Sequence, residues 1–85
     1  NLAFNKLVEC PELPQQIETL ILNNNLFKNV DSNLLRMKNL ITLDLSNNSI
    51  QDISRLTQLS KLKFLFLKNN KVTHNPKRIL NIFLF

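Results

Sequence analysis

Leu40-Ile41-Thr42-Leu43-Asp44-Leu45-Ser46-Asn47-Asn48 decides the fold of this chain, because its pattern returns twice more. Ile17-Glu18-Thr19-Leu20-Ile21-Leu22-Asn23-Asn24-Asn25 precedes it by 23 residues, and Leu62-Lys63-Phe64-Leu65-Phe66-Leu67-Lys68-Asn69-Asn70 follows it by 22. A partial copy, Asn1-Leu2-Ala3-Phe4-Asn5, opens the chain 20 residues before the first full one. Self-similarity at such a period marks a solenoid, in which each unit buries its apolar side against its neighbours, and solenoid surfaces usually hold other molecules.

Within each phrase the Leu-x-Leu segment reads as a short strand with side chains alternating between faces. Leu20 and Leu22, Leu43 and Leu45, and Leu65 and Leu67 are expected to point inward and stack on one another. Their alternates must line the opposite, concave face: Thr19, Ile21, Asn23 and Asn24, then Thr42, Asp44, Ser46 and Asn47, then Phe64, Phe66, Lys68 and Asn69. Asn1, Ala3 and Phe4 continue this surface at the N-terminal edge, and Ile21 and Phe66 share a lateral column with Asp44 between them.

Parallel strands need a long return path, and the residues after each asparagine supply it. One return carries Phe27, Val30, Leu34 and Met37, with Asp31-Ser32-Asn33 placed to cap a short helix over Asn33–Met37. The next carries Ile50, Ile53, Leu56, Leu59 and Leu62, whose spacing of three matches a 3₁₀-like or extended return. Asn5, Asn25, Asn48 and Asn70 stand where each strand turns inward, and their amides are expected to form a buried ladder that satisfies backbone groups outside any regular pairing. Glycine is absent, so left-handed turn positions fall to asparagine.

The 85 residues suffice for one small domain, and 44% hydrophobic with 20% charged residues suits a folded chain. The expected division is a partial repeat over 1–16, repeats over 17–39, 40–61 and 62–75, and a cap-like segment over 76–85. Both ends look cut, since one begins inside a strand and the other is the apolar run Ile79–Phe85, so further repeats or a partner are expected to cover them. Cys10, the single cysteine, has no internal disulfide partner, which favours a reducing, intracellular home in cytoplasm or nucleus. It occupies the position of Ile53 in its repeat and reads as a buried apolar thiol. Asn47-Asn48-Ser49 fits the glycosylation sequon, a short pattern common by chance. No apolar run is long enough to span a bilayer.

These repeated phrases resemble the leucine-rich repeat superfamily from residue 1 to about 73. The resemblance implies an α/β solenoid with a short parallel β-sheet on the concave face, 3₁₀, short-helical or extended returns on the convex face, and protein recognition as its role. Leu40–Leu59 looks like the short 22-residue class of intracellular eukaryotic regulators, which phosphatase-regulatory, ciliary and spliceosomal A-prime-like proteins share. Asn69-Asn70-Lys71-Val72-Thr73-His74-Asn75-Pro76-Lys77-Arg78-Ile79-Leu80 is similar to the terminal-repeat motif of several such proteins, without the tyrosine often found there. Cys10-Pro11-Glu12-Leu13-Pro14-Gln15-Gln16-Ile17-Glu18-Thr19-Leu20 is similar instead to the 20-residue Leu-Pro-x-Leu-Pro repeat of bacterial effectors, but only one repeat shows it, and prolines that merely keep this short return extended account for it.

Catalytic chemistry is hard to find in the residues. His74 has no sequence-adjacent carboxylate or thiol and lies 64 residues from Cys10, and no metal-ligand spacing, phosphate-cradling loop or paired carboxylate occurs. The expectation is a non-enzymatic protein-interaction module or scaffold without metal or cofactor, built into a larger intracellular assembly. Its contact residues would be Thr19, Ile21, Asn23, Thr42, Asp44, Ser46, Lys63, Phe64, Phe66 and Lys68. Phe64 and Phe66 would be apolar anchors inside a rim formed by Lys63 and Lys68. The bland alternative is that the terminal segment, with Phe83 and Phe85, folds over these rings as a cap.

Charge suggests a second partner class. Residues 1–50 hold four basic and five acidic side chains, whereas residues 51–85 hold seven basic ones against Asp52 alone. Lys61, Lys63, Lys68, Lys71, Lys77 and Arg78 would meet RNA or another anion if the chain were a ribonucleoprotein component, and otherwise form a solvated basic surface.

Overall fold

The computed structural model describes residues 1–73 and 82–85. Four strands, β1 (Thr19–Ile21), β2 (Thr42–Asp44), β3 (Phe64–Phe66) and β4 (Phe83–Leu84), form one parallel sheet in chain order. Thr19 pairs with Thr42 and Thr42 with Phe64, so the three phrases of the sequence lie in register. Phe64 pairs with Phe83, which brings the C-terminal Phe-Leu-Phe into the sheet as a fourth strand. The N-terminal partial copy runs alongside β1, where the amides of Leu2 and Phe4 donate to the carbonyls of Ile21 and Asn23 at 2.9 and 3.0 Å.

The inward leucines are buried as the alternation requires: Leu20, Leu22, Leu43, Leu45, Leu65 and Leu67 all belong to the core. Phe27, Val30, Leu34, Leu35, Met37 and Leu40 from one return, and Ile50, Ile53, Leu56, Leu59 and Leu62 from the next, join it, with Cys10 from the first return. Each fully buried side chain of this size stabilises the fold by roughly 1.5–3 kcal/mol, which is how repeats with only three-residue strands hold together.

The returns differ because their sequences do. Residues 6–18, with Pro11 and Pro14, contain no helix. The second return forms α1 (Ser32–Leu35), starting one residue earlier than its sequence suggests. Asp31 is the cap: its Oδ1 accepts from the Leu34 amide at 3.0 Å and its Oδ2 from the Cys10 amide at 2.6 Å. A carboxylate has lone pairs for both donors, so Asp31 closes the helix and ties it to the preceding return at once. Asn33 is thereby released to donate to the Cys10 carbonyl at 3.0 Å.

In the third return Ser54–Gln58 is a 3₁₀ helix, and the spacing of three has a direct cause. The amides of Leu56, Leu59 and Leu62 each donate to the carbonyl of the apolar residue three positions earlier, at 3.0, 3.0 and 3.1 Å. The hydrogen-bond period and the burial period coincide, so one stripe of side chains faces the core throughout.

Turns between strands and returns use left-handed backbone at Asn24, Asn47 and Asn69 (φ 59°, 58° and 60°). This is the substitution for glycine that the composition demanded. Phe4 holds the same position in the partial copy at φ 58°, where its side chain is a poor fit to that region.

Candidate functional site: the open face of the sheet

Three of the four turn asparagines form the expected ladder. The Asn48 amide nitrogen donates to the carbonyls of Leu45 (3.0 Å), Leu22 (3.1 Å) and Ser46 (3.2 Å), and its oxygen accepts from the Phe27 amide at 3.0 Å. Asn25 repeats the arrangement with Leu22, Leu2 and the Leu7 amide, and Asn70 with Leu67, Leu45 and the Ile50 amide. Each amide therefore joins its own strand to the preceding repeat. Asn5 departs from expectation: it is exposed and donates to Leu2 and Ala3 within its own turn. Burial at this position requires a repeat on the outer side, and among the described residues none lies against Asn5.

With the leucines and asparagines turned inward, the alternates form lateral rows on the other face. Strand register places Thr19, Thr42, Phe64 and Phe83 in one row. Ile21, Asp44 and Phe66 make the next, which Phe85 extends by stacking on Phe66. Beyond them lie Asn23, Ser46 and Lys68. Thr19, Lys63 and Lys68 are exposed, whereas Ile21, Asn23, Thr42, Asp44, Ser46, Phe64 and Phe66 are half-buried. The face is polar over β1 and β2 and aromatic over β3 and β4.

Phe83 and Phe85 do not fold over Phe64 and Phe66. They stand beside them on the adjacent strand, with ring centroids 5.5 Å apart for Phe64 and Phe83 and 4.8 Å for Phe66 and Phe85. The rings are nearly parallel, at 17° and 19°. Phe83 and Phe85 stay 65% and 57% exposed, so stacking gathers the apolar surface without hiding it. The signal for this was present in the sequence, since Phe83-Leu84-Phe85 repeats Phe64-Leu65-Phe66, but its spacing of 19 falls short of the earlier 22 and 23.

Asp44 is the acidic residue among these rows, and its Oδ1 accepts from the Ser46 amide at 2.9 Å, which holds the carboxylate against its own turn. The basic residues are dispersed. Lys61 donates to the Asn39 side chain at 2.9 Å, and Asn39 in turn donates to the Gln15 carbonyl at 3.2 Å, a flank contact away from the face. Lys71 lines a shallow polar depression of about 420 Å³ with Lys28, Asn29, Ser49 and Gln51. His74, Lys77 and Arg78 lie outside the described residues.

Cys10 sits in the core at 1% exposure. Burial, and then the nearby charge of Asp31, pushes its thiol up to about 12 from an ordinary 9.0, so it stays protonated and a poor nucleophile near neutrality. Among the described residues no group of three or more His, Cys, Asp and Glu is placed to hold a metal ion, and no helix is long and apolar enough to cross a membrane.

Comparison with known families agrees with this geometry: the model for a family described as "Leucine rich repeat" matches residues 15–72, more than half of the chain.

Proposed function

The chain belongs to the leucine-rich repeat family, and from that premise we propose that it is a non-enzymatic protein-interaction module that grips a partner on the concave face of its sheet. Members of this family generally mediate protein–protein interaction. The observation that carries the reading here is the quartet of Phe64, Phe66, Phe83 and Phe85, gathered by stacking, with the first two half-buried and the last two open to solvent. Exposed aromatic clusters of this kind, rimmed by charge, are the usual centres of binding energy. Phe64 and Phe66 act as anchors, Lys63 and Lys68 as the rim, Thr19, Thr42, Asp44 and Ser46 as hydrogen-bonding or charged contacts, and Ile21 and Asn23 as further contacts over the first two strands. A reducing compartment suits a chain with one core cysteine, and we place the module within a larger intracellular assembly.

RNA contact through the basic C-terminal half has less in its favour. Lys61 is engaged with Asn39, Lys71 faces a different depression from the phenylalanines, and a phosphate track needs cations arranged along one path. Site-specific photo-cross-linking tests the main reading. A benzophenone side chain at Ser46, on the face, should capture a polypeptide in the cells of origin, and one at Gln58, on the opposite side, should not. Equal capture at both positions, or none at Ser46, would remove the face as the binding surface.

A further inference from the structure

We infer that the chain pairs with a second copy of itself, edge to edge along β4, so that two four-stranded sheets become one. The backbone makes the first argument. β4 is the last strand of the sheet, and the amides of Phe83 and Phe85 donate to the Lys63 and Leu65 carbonyls at 2.7 and 2.9 Å. Alternate residues of a strand aim their N–H and C=O in opposite directions, so Leu84 directs both groups off the edge. No described residue answers them. Edge strands that avoid partners carry a lysine, another charge or a proline, and Ile82-Phe83-Leu84-Phe85 carries none of these.

The palindrome Phe83-Leu84-Phe85 says which occupant fits. A two-fold axis beside Leu84 sets the two edges antiparallel, and the two Leu84 residues then exchange N–H···O=C bonds in both directions. The same operation places Phe83 of each copy directly opposite Phe85 of the other, on one face of the sheet. Such flanking pairs are not hydrogen-bonded and hold their Cα atoms about 4.5 Å apart, which suits rings that stack. Within one chain the β3 side of Phe83 and Phe85 is covered by Phe64 and Phe66, at centroid distances of 5.5 and 4.8 Å. Their other sides are open, and the rings of the second copy close them. Ile82, which packs against the core as Leu84 does, falls in this register past the end of the opposing β4. There a depression of about 350 Å³, lined in part by Leu67, Val72, Leu84 and Phe85, receives it. A foreign strand would match this edge only by carrying the same pattern; a second copy matches it by symmetry. The pairing goes beyond partner capture on the concave face, and it merges two aromatic quartets into one surface.

Sedimentation velocity on the full chain between about 5 and 500 µM should pass from monomer to dimer, as a small interface requires. F83K/F85K and F83E/F85E should each weaken dimerisation at least about tenfold with circular dichroism unchanged, because like charges then meet across the axis. Mixed in equal amounts, the two variants should form a heterodimer, since each lysine faces a glutamate. Cysteines read the register: F83C and F85C, mixed under mild oxidation, should cross-link to each other about tenfold faster than either does to itself. A monomer throughout the range, assembly that continues past two, or a dimer untouched by the charge variants overturns the inference. So does the absence of a heterodimer on mixing, or self-linking as fast as cross-linking. A monomer that still captures a polypeptide at Ser46 rejects the pairing alone, and a dimer without that capture rejects only the concave-face function.

Discussion

The two faces of the same short strands obey different rules. Inside, leucine recurs at every strand, and the amides of Asn25, Asn48 and Asn70 each close a junction with the preceding repeat. Outside, one aligned row reads threonine, threonine, phenylalanine and the next isoleucine, aspartate, phenylalanine. Inward positions are held constant because a neighbour at fixed distance fills the same volume and presents the same backbone groups each time. Outward positions have no such neighbour, so their chemistry is free to suit something outside the chain. Constancy on one face and drift on the other separates what holds the fold from what uses it.

Breaking the inner rule should have the largest effect. Asn48→Ala strands the Phe27 amide, while the carbonyls of Leu22, Leu45 and Ser46 keep donors from Asn25, Asn70 and the Asn24 amide. It should cost about 3 kcal/mol in urea unfolding, since an orphaned buried group costs roughly 1–3 kcal/mol and each lost hydrogen bond roughly 0.5–1.5 kcal/mol. Asn5→Ala, at the equivalent but exposed position, should cost less than about 0.5 kcal/mol. Equal losses would dissolve the distinction between junction and edge. Across a single strand, Leu43→Ala should cost about 3 kcal/mol and its outward neighbour Thr42→Ala about a tenth of that, measured by the same denaturation.

Phe66→Ala sharpens the comparison on the outer face. It should weaken partner binding by roughly 1–3 kcal/mol while thermal unfolding moves little; an unchanged affinity would take the ring out of the site. Phe4→Asn should stabilise the fold by about 1 kcal/mol, because asparagine tolerates the left-handed backbone that phenylalanine occupies at a cost of roughly 1–2 kcal/mol. No gain in the unfolding midpoint would mean that Phe4 makes compensating contacts.

Smallest is the pH response of Cys10. Its folded thiol is raised to about 12 from 9.0, so the neutral form's contribution to stability is fully present below pH 9 and fades as the unfolded thiol ionises between 9 and 12. Cys10→Val should flatten that part of the stability profile relative to the parent. A thiol that reacts as fast in the folded chain as in urea at pH 8 would show that burial does not protect it.

Much of this arrangement was legible in the letters. Alternation placed the six inward leucines, the spacing of three from Ile50 to Leu62 gave the 3₁₀ return, and the lack of glycine pointed to left-handed asparagines. What escaped depended on neighbours more than on local pattern. Asn5 has the motif of Asn25 and Asn48 but not their flanking repeat, and burial belongs to the pair of repeats. Asp31 lies in the capping run that the sequence shows, but its second bond, to the Cys10 amide 21 residues away, belongs to no local pattern. Phe83 and Phe85 were readable as letters but not as a strand, since the shortened return before them masks the period.

The junction asparagines carry a consequence for how this chain tolerates length changes. Asn70 reaches the carbonyl of Leu45 and receives the amide of Ile50, and the carbonyl that replaces Leu45 one period earlier is that of Leu22. Excising residues 26–48 as a block would join Asn25 to Ser49 and hand Asn70 a complete set of equivalent partners. Removing one residue between Leu43 and Asn48 would shift the donors of that turn past their acceptors, whereas the returns, with periods of 23 and 22 residues in one register, already absorb such a difference. The chain is thus a string of interchangeable modules, more tolerant of losing a whole period than of losing one residue from a strand or its asparagine turn.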